Sequence, residues 1–302
     1  MRTVPMRYCV RMPALTLSVV IPVYNEEKYL KRCIDALLDQ GESVNEIVIV
    51  DNNSSDESLS ILKKYAEKFE KIKVISESAP GVVHARNAGF KTSTGSMIGR
   101  IDADTVVSAG WAKTIIEFFE SHEDVSAATG LSYLYETPIS NYRTRSIDRQ
   151  IERGKIKDGR SLPMLQGNNM AIRREVWDSV RKLLDPSDEL HEDIDLTMCL
   201  IHEKLEIVQL LGMRAEISGR RSWTSPLEYA SYVSASRRTY ARHGIKNPVL
   251  TTLFGINVLM HTVLWPLHLA YDPATERISI RNIFKTRSKL GLPFSADTRP
   301  AS

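Results

Sequence analysis

Two carboxylates follow the apolar stretch at residues 98–101: Asp102 and Asp104, separated by Ala103. Alternate residues of an extended strand point to the same side, so we expect both carboxylates to face one way and to repel each other. Hard divalent ions such as Mg²⁺ or Mn²⁺ bind carboxylate oxygens and share them with substrate phosphates. A bound metal diphosphate would neutralise the pair, which therefore predicts a cation site. A single Asp-x-Asp motif, without other site residues, also occurs by chance in exposed turns.

The first third of the chain, which includes this pair, alternates between strand and helix patterns. Short apolar, β-branched runs predict strands at 15–21, 46–50, 72–75 and from residue 98, the first of them ended by Pro22. Apolar spacing predicts a helix from Glu26, and a capping box of Ser54 with Glu57 predicts the start of a second. Residues 81–92 indicate a third helix. Apolar strands that alternate with helices favour an α/β fold with a parallel sheet covered on both faces.

Polar side chains follow three of these predicted strands. Tyr24 follows the first, Asp51 and Asn53 follow the second, and the Asp102 and Asp104 pair follows the fourth. Ligands of parallel α/β sheets bind at the carboxyl ends of the strands, so we expect these side chains to share one rim. The rim predicts a site for a cation, a polar ligand or both, although Asp51 is also a residue that caps a turn.

Composition and charge narrow the class of protein. A length of 302 residues fits one large domain, or one domain with an extension. The net charge of +3 is too small to indicate nucleic acid, and we expect no such partner. Cys9, Cys33 and Cys199 have no metal-binding spacing and predict free thiols, which fits the cytoplasm. The basic start of the chain lacks the continuous apolar run of a secretion signal.

Four segments together resemble one family. They are SVVIPVYNEEKYLKRCIDALLDQ, IVIVDNNSSDES, ARNAG and IGRIDADT, and their order and spacing are similar to the nucleotide-sugar domain of family 2 glycosyltransferases. This inverting family has the GT-A fold, a Rossmann-like α/β fold with a mostly parallel central sheet flanked by helices. The resemblance covers roughly residues 18–222. It implies a catalytic domain at 1–224, with nucleotide-sugar binding at about 15–110 and the acceptor part at about 111–224, before a helical extension at 225–302.

The resemblance also implies an activity: a metal-dependent, hexosyltransferase-type enzyme. It would move a sugar from a UDP, GDP or dTDP donor to a hydroxyl of a lipid-linked or cell-envelope glycan. Its cofactor would be Mn²⁺ or Mg²⁺. The resemblance implies roles for residues in the first half of the chain. Pro22 and Tyr24 would form a base pocket with Glu26 beside it, Asp51 would contact the base edge, and Arg86 would contact the base or the phosphates. Asp102 would contact the ribose or the water shell of the metal, and Asp104 would ligate the metal.

In the second half, Gln166 to Arg174 resembles the segment that lines the donor sugar. Asn168 and Asn169 offer amide groups for sugar hydroxyls, or simply form a turn that leads into a helix. Glu192 and Asp193 resemble the acidic pair whose aspartate is the general base of inverting transfer.

A helix is predicted from Glu192, with an apolar stripe of Ile194, Met198, Ile201 and Leu205 packed on the sheet. Carboxylates at a helix start are also stabilised by the helix dipole alone, so a structural role stays open. Arg220 and Arg221, in GRRSW, suit phosphate recognition and would close over the diphosphate.

The sequence departs from the family in this region. Many relatives have a histidine metal ligand after the acidic pair, or a QxxRW motif in processive polymerases, and neither stands at a matching position. The third metal ligand and a polymerase role therefore stay open. A sugar nucleotidyltransferase would need a Gly-rich basic loop after the first strand, where residues 23–27 are acidic. A non-catalytic nucleotide-sugar-binding protein is the other alternative.

The most apolar long run lies at 249–271 and contains no acid, lysine or arginine. Its length suffices to cross a membrane, but Asn257, His261, Pro266 and His268 interrupt it. Basic residues flank both sides. We expect a helix or hairpin at the cytoplasmic membrane surface, and the alternative is a buried helix packed on the catalytic domain.

Overall fold

The computed structural model describes residues 14–187 and 189–285, so Cys9 and the basic residues Arg287 and Lys289 lie outside the described residues. The strands are β1 (Leu17–Val23), β2 (Glu46–Asp51), β3 (Ile72–Ser76), β4 (Met97–Ile101), β5 (Thr105–Val107), β6 (Ala127–Tyr135), β7 (Arg160–Ser161), β8 (Asn169–Arg173), β9 (Ile207–Ser218), β10 (Tyr271–Asp272) and β11 (Arg277–Ile278). The helices are α1 (Leu30–Leu38), α2 (Ser58–Lys68), α3 (Val82–Thr92), α4 (Trp111–Ser121), α5 (Ser140–Glu152), α6 (Arg174–Val180), α7 (Glu192–His202), α8 (Pro226–Arg242) and α9 (Pro248–Ala270). Short 3₁₀ helices lie at Gly41–Ser43, Gly219–Trp223 and Ile280–Phe284.

Nine strands form one sheet in the described part of the chain, in the order β3-β2-β1-β4-β8-β6-β9-β5, with β7 paired to β9. β1 pairs in parallel with β2 and β4, and β2 with β3, as the alternating pattern predicts. β8 lies antiparallel between β4 and β6. β6 and β9 point the same way as the first four strands, so the mostly parallel α/β sheet is confirmed.

The sheet is apolar on both faces because alternate residues of its strands enter different cores. Val19 and Ile21 of β1 pack in the layer of α1 and α4, with Trp111 at its centre. Val20 packs on the opposite side, in the layer of α3, α6 and α7. Both layers shield the central strands from water and leave their carboxyl ends as the accessible edge of the sheet.

The prediction that Pro22 ends the first strand is wrong, because β1 continues to Val23. Pro22 stays in register with Val50 of β2, whereas the pairing with β4 stops at Val20. At Pro22, the edge of β1 on the side of β4 is therefore unpaired and needs no amide donor. Proline is tolerated at such unpaired strand edges.

Two predicted helix starts are also wrong. α1 begins at Leu30 rather than at Glu26, because Asn25 adopts a left-handed conformation (φ 54°) and Glu26 begins a turn. α2 begins at Ser58 without the predicted capping box. The Ser54 hydroxyl instead accepts a hydrogen bond of 3.1 Å from the Asn25 amide. The two residues thereby join the loops that follow β1 and β2, a tertiary contact that local spacing does not reveal.

α7 begins at Glu192 as predicted, but the predicted apolar stripe is only partly right: Met198 is buried and Leu205 packs against the core, whereas Ile201 does not. Ile201 is 41% exposed, whereas Leu200 is fully buried. Leu196, Cys199 and Leu200 form the side of α7 that packs in the α3 and α6 layer. The side of α7 that faces the sheet therefore carries Leu200 in place of the neighbouring Ile201. Cys33 and Cys199 are buried free thiols, as predicted.

The described residues after 224 are mostly helical, as predicted. α8 packs on α7, where the His191 amide donates to the Thr239 hydroxyl (3.0 Å) and His243 Nε2 lies 2.7 Å from Asp195 Oδ1. α9 packs on α8 and is long and apolar enough to cross a membrane, yet none of its apolar window is buried. The alternative of a buried helix packed on the catalytic domain is therefore wrong in its burial, although α9 does contact the 3₁₀ helix Gly219–Trp223.

We expect Leu200→Ala to lower the free energy of unfolding by about 2–5 kcal/mol, because it removes a fully buried side chain. The matched variant Ile201→Ala should cost less than about 1 kcal/mol, because Ile201 faces partly into solvent. Urea unfolding followed by circular dichroism measures both. A larger loss for Ile201→Ala would restore the predicted stripe and contradict the structure.

Candidate active site

A cleft of about 280 Å³ opens at the carboxyl ends of β1, β2 and β4. Most of the site residues predicted from the sequence line this cleft. They are Pro22, Tyr24, Glu26, Asp102, Asp104, Asn168, Glu192, Asp193, Arg220 and Arg221. Asp51, Arg86 and Asn169 are not among the lining residues. One cavity therefore holds the residues that were predicted to bind metal, donor and acceptor.

Asp102 and Asp104 reach the cleft from a turn, not from an extended strand. β4 ends at Ile101 and β5 begins at Thr105, whose amide donates to the Asp102 carbonyl at 3.0 Å. The strand alternation used for the prediction is therefore wrong, although both carboxylates do line the cleft. Each has its own cation: Asp102 lies 3.1 Å from Arg100, and Asp104 lies 3.1 Å from Arg220.

Arg100 connects the two acidic groups of the cleft. Its guanidinium is almost fully buried and lies 3.1 Å from Asp102 Oδ1 and 2.7 Å from Glu192 Oε1. A Cβ at Gly167 would lie 2.2 Å from Arg100 Nη1, so the glycine leaves room for this guanidinium. Arg100 was assigned no role from the sequence. The feature that could have revealed it is a charged residue inside an otherwise apolar strand.

Arg220 is the second buried cation of the cleft. Its guanidinium forms ion pairs with Asp104 and Glu26 and lies over the Tyr29 ring, 4.3 Å from the centroid. Burial raises the pKa of Glu26 to about 7 and that of Asp104 to about 6, although Arg220 opposes both shifts. Glu26 Oε2 is buried without a hydrogen-bond partner among the described residues. One arginine therefore only partly compensates these carboxylates.

The cleft residues fit a divalent cation. Five carboxylates line the cleft against three guanidiniums, so the fully ionised walls have an excess of negative charge. Hard oxygen ligands with an unpartnered oxygen nearby are the donor set that Mg²⁺ or Mn²⁺ prefers. Asp104 and Asp102 are the residues that would hold such an ion. The described residues place no histidine beside them, since His191 groups instead with Glu192 and Asp193.

The acidic pair at the start of α7 is split electrostatically. Burial alone would raise the pKa of Glu192, but the charges of Arg100 and Arg86 outweigh it and lower that pKa. Burial raises the pKa of Asp193, and the neighbouring Glu192 charge raises it further. Asp193 Oδ1 accepts a hydrogen bond from the Ile194 amide at 2.8 Å. The surroundings thus favour the ionised form of Glu192 and make Asp193 more basic than an ordinary aspartate, as a proton acceptor requires.

Arg86 lies under α7 instead of on the cleft wall. It is 1% exposed, and its Nη1 donates to the Glu192 carbonyl at 3.0 Å. Its guanidinium packs over the Trp177 ring at 5.5 Å. The predicted contact of Arg86 with the base or the phosphates does not describe this position, because Arg86 is buried and does not line the cleft. Arg86 instead holds the first turn of α7, and with it the acidic pair.

Two polar residues, Asp51 and Asn52, stand at the end of β2, and only Asp51 was assigned a role from the sequence. Asp51 is buried, and its Oδ1 has no hydrogen-bond partner among the described residues. Asn52, the next residue, lines the cleft. Its amide nitrogen donates to the carbonyls of Glu77 and Ala79, both at 2.7 Å, and its Oδ1 accepts from the Gly81 amide at 2.8 Å. Asn52 therefore holds the loop before α3, which forms the wall beside Tyr24.

The predicted sugar contact of Asn169 is wrong. Its side chain is fully buried and accepts from Trp111 Nε1 at 2.8 Å, while its amide nitrogen donates to the Leu131 and Met213 carbonyls. Asn168 lines the cleft, and its Oδ1 accepts from the Ser132 hydroxyl at 3.1 Å. Adjacent amides with the same chemistry thus serve different purposes, one in the core and one at the cleft.

α8 supplies a further part of the wall through Tyr232. The Arg221 guanidinium lies over its ring at 4.1 Å, and the His191 ring meets it edge-on at 4.4 Å. His191 also lines the cleft. Neither residue was assigned a role from the sequence, because only the tertiary packing of α8 on α7 brings them to the site.

Comparison with known proteins agrees with this geometry. Residues 18–181 match the family model described as Glycosyl transferase family 2. The chain belongs to this family. The matched range includes Asp102 and Asp104 but ends before the acidic pair and the two arginines at 220 and 221.

Curated relatives match this chain over part of their length. The uncharacterized glycosyltransferase EpsJ of Bacillus subtilis is 36% identical over 35% of this chain and 31% of its own length. The minor teichoic acid biosynthesis protein GgaB of the same organism is 34% identical over 35% of this chain and 12% of its own. The chain thus spans about a third of the length of EpsJ and a smaller share of GgaB.

A solved structure shows the same fold. The mannosyltransferase PcManGT from Pyrobaculum calidifontis, in complex with GDP-Man and Mn²⁺, aligns with a TM-score of 0.58 at 17% identity. The alignment covers 89% of this chain and 77% of that one. The shared fold, with the mostly parallel sheet of this chain, confirms the GT-A architecture.

We expect Asn169→Ala to lower the free energy of unfolding by about 2–4 kcal/mol, because it leaves the Trp111 indole and two buried carbonyls without their partner. Asn168→Ala should cost less than about 1 kcal/mol but weaken donor binding, because Asn168 faces the cleft. Thermal unfolding and calorimetric titration of the donor separate the two effects. Equal stability losses in both variants would contradict the assignment.

Proposed function

We propose that the protein is an inverting glycosyltransferase that moves a sugar from a nucleotide diphosphate to an acceptor hydroxyl. One observation carries the proposal: a cleft that unites the carboxylates Asp102 and Asp104 with the split pair Glu192 and Asp193. Inverting transfer requires a base for the acceptor proton and a cation for the departing diphosphate. Membership of the family supports both assignments.

The donor would lie along the wall formed by the ends of β1, β2 and β4. Pro22 and Tyr24 form the side of the base. Asp51 lies behind the cleft lining at the end of β2, and its buried, unpartnered Oδ1 would accept from a base edge that reaches it. PcManGT was solved with GDP-Man, and donors of the UDP, GDP or dTDP class suit the cleft proposed here. Asn168 offers its amide to the sugar.

Charge balance supports a cofactor of Mn²⁺ or Mg²⁺. At a pH at which its five carboxylates are ionised, they outnumber the three guanidiniums, and the cleft repels a diphosphate. A divalent ion held by Asp104 and Asp102 would neutralise both the walls and the leaving group. Arg220, which pairs with Asp104, and Arg221, beside it on the cleft wall, are the cations of this chain that approach the diphosphate.

Asp193 would act on the acceptor. It takes the hydroxyl proton as the acceptor oxygen forms its bond to the anomeric carbon, and the bond from that carbon to the diphosphate breaks on the opposite face of the sugar. Glu192 stays ionised against Arg100 and keeps the basicity of Asp193 high. Arg86 and Gly167 hold these groups in place.

We propose a lipid-linked or cell-envelope glycan as the acceptor and the cytoplasmic side of the membrane as the place of reaction. GgaB, one of the relatives, is named for teichoic acid biosynthesis, which supports this class of acceptor. The division into a catalytic domain at 1–224 and an extension at 225–302 belongs to the same proposal, with the addition that α8 contributes Tyr232 to the site.

The metal assignment is tested by Asp104→Asn. Screening UDP-, GDP- and dTDP-sugars with Mn²⁺ or Mg²⁺ identifies the donor, and hydrolysis of that donor is then measured. We expect Asp104→Asn to lower turnover by about 10²-fold or more, because the variant loses a charge that holds the cation against the leaving group. EDTA should have a comparable effect on the wild type. The exposed Asp124→Asn is the matched control and should retain activity. Unchanged turnover in both EDTA and Asp104→Asn would refute the metal.

The base is tested by Asp193→Asn, which should lower turnover by roughly 10²–10⁴-fold with little change in donor affinity. A general base acts in the transition state, so its loss spares ground-state binding. Calorimetric titration of the donor supplies the affinity. A wild-type rate, or a loss of affinity equal to the loss of rate, would assign the role elsewhere.

The pH profile of Glu192→Gln completes this test. Turnover should fall as the pH is lowered through the pKa of Asp193, which burial and the Glu192 charge raise above the ordinary aspartate value. Removing the Glu192 charge lowers that pKa, so the acidic limb of the profile should move to lower pH. The exposed Glu189→Gln, three residues earlier, should leave the profile in place. An unmoved limb in Glu192→Gln would contradict the coupling of the pair.

A further inference from the structure

One side of α9 is a continuous apolar surface exposed to solvent. It consists of side chains three or four positions apart, each more than half exposed, and it is called here the α9 outer face. Its members are Val249, Leu253, Ile256, Leu259, Met260 and Val263, with exposures between 51% and 64%. This spacing places them along one stripe of the helix. Contiguous exposed apolar surface of this kind marks an interaction site.

Three polar residues of α9 hydrogen-bond to the rest of the protein. Asn257 Oδ1 accepts from the Tyr229 hydroxyl, and His261 Nε2 lies 2.9 Å from the Thr224 carbonyl. His268 is buried, and its Nδ1 lies 3.2 Å from the Thr137 hydroxyl. These three residues, which appeared to interrupt the apolar run of the sequence, therefore have partners in the protein. The exposed Thr252 and Thr262 hydroxyls instead donate to carbonyls of α9 itself.

α9 is held against the protein along much of its length. Phe254 packs near the Tyr240 ring at 6.1 Å, Trp265 Nε1 donates to the Trp223 carbonyl at 3.1 Å, and His268 is buried. A helix fixed along its side cannot leave the protein to cross a bilayer alone. These contacts hold one side of α9 and leave the apolar stripe on the solvent side, which is the arrangement of a helix that lies in the plane of a membrane surface.

The surroundings of the α9 outer face determine its partner. Further exposed apolar side chains lie after α9 at Ile280 (76%) and Phe284 (84%). Exposed cations stand at both ends, Lys246 before the helix and Arg277 and Arg281 after it. Two copies of the face would bring like charges together in either orientation. An anionic lipid surface instead attracts both ends while it accepts the apolar stripe.

We propose that the α9 outer face docks in the plane of an anionic bilayer. α9 contacts the 3₁₀ helix Gly219–Trp223, which positions Arg220 and Arg221 at the cleft. Docking therefore brings the rim of the cleft next to the lipid headgroups. The consequence that the acceptor is bound to the membrane rests on the proposed function, whereas the docking itself does not.

Flotation of the full chain with vesicles tests the docking. The wild type should float with phosphatidylcholine vesicles that contain phosphatidylglycerol, and float less with pure phosphatidylcholine or at high salt. Leu253→Glu with Ile256→Glu and Val263→Glu should lower the bound fraction at least about tenfold, because apolar burial is lost. The control Tyr142→Glu with Met164→Glu and Leu183→Glu places the same added charge at exposed apolar positions elsewhere and should float like the wild type.

The proposal would be overturned if the wild type failed to float with any vesicle, or if the triple variant floated like the wild type. It would also be overturned if light scattering showed a dimer that the triple variant disperses while vesicles bind nothing. Resistance to extraction by alkaline carbonate would replace in-plane docking with a spanning helix. Donor hydrolysis without vesicles should be equal in all variants. Its absence in the wild type would count against the proposed function and leave the docking result intact.

Discussion

Two buried arginines make the cleft possible, because they hold carboxylates that would otherwise repel one another. Arg100 joins Asp102 to Glu192, and Arg220 joins Asp104 to Glu26. A buried ion pair is stable only while both partners are present, since removing one leaves an uncompensated charge in a poorly solvated place. The metal side and the base side of the cleft are therefore coupled through Arg100, which touches both.

The fold supplies these contacts from distant parts of the chain. β4 brings Arg100, the turn after it brings Asp102 and Asp104, α7 brings the acidic pair, and the 3₁₀ helix after β9 brings Arg220. β8, antiparallel beside β4, is preceded by Gly167, whose missing side chain leaves room for the Arg100 guanidinium. Sheet and site thus depend on the same register: a shifted β8 would put a side chain where the guanidinium lies.

Local patterns sufficed for much of this architecture and failed where tertiary contacts decide. Strand periodicity placed β2 and β3 within a residue and the α/β class correctly, because both strands are short β-branched runs and β2 is buried on both faces. The extent of β1 past Pro22 depended on where its pairing with β4 stops. The start of α2 depended on a hydroxyl used by another loop. Which stripe of α7 is buried depended on the sheet beneath it.

The site shows the same division. Most lining residues were predicted from motifs, whereas Arg100, Asn52 and Tyr232 became visible only through their contacts, and Asn169 proved to be a core residue.

The central claim is that this cleft accepts a nucleoside diphosphate only together with a divalent cation. Calorimetric titration of GDP and UDP into the wild type, with Mn²⁺ and then with EDTA, tests it directly. The charge balance predicts that the diphosphate which binds with Mn²⁺ loses most of its affinity in EDTA, while the corresponding nucleoside is unaffected. Equal diphosphate affinity in both conditions would contradict the account.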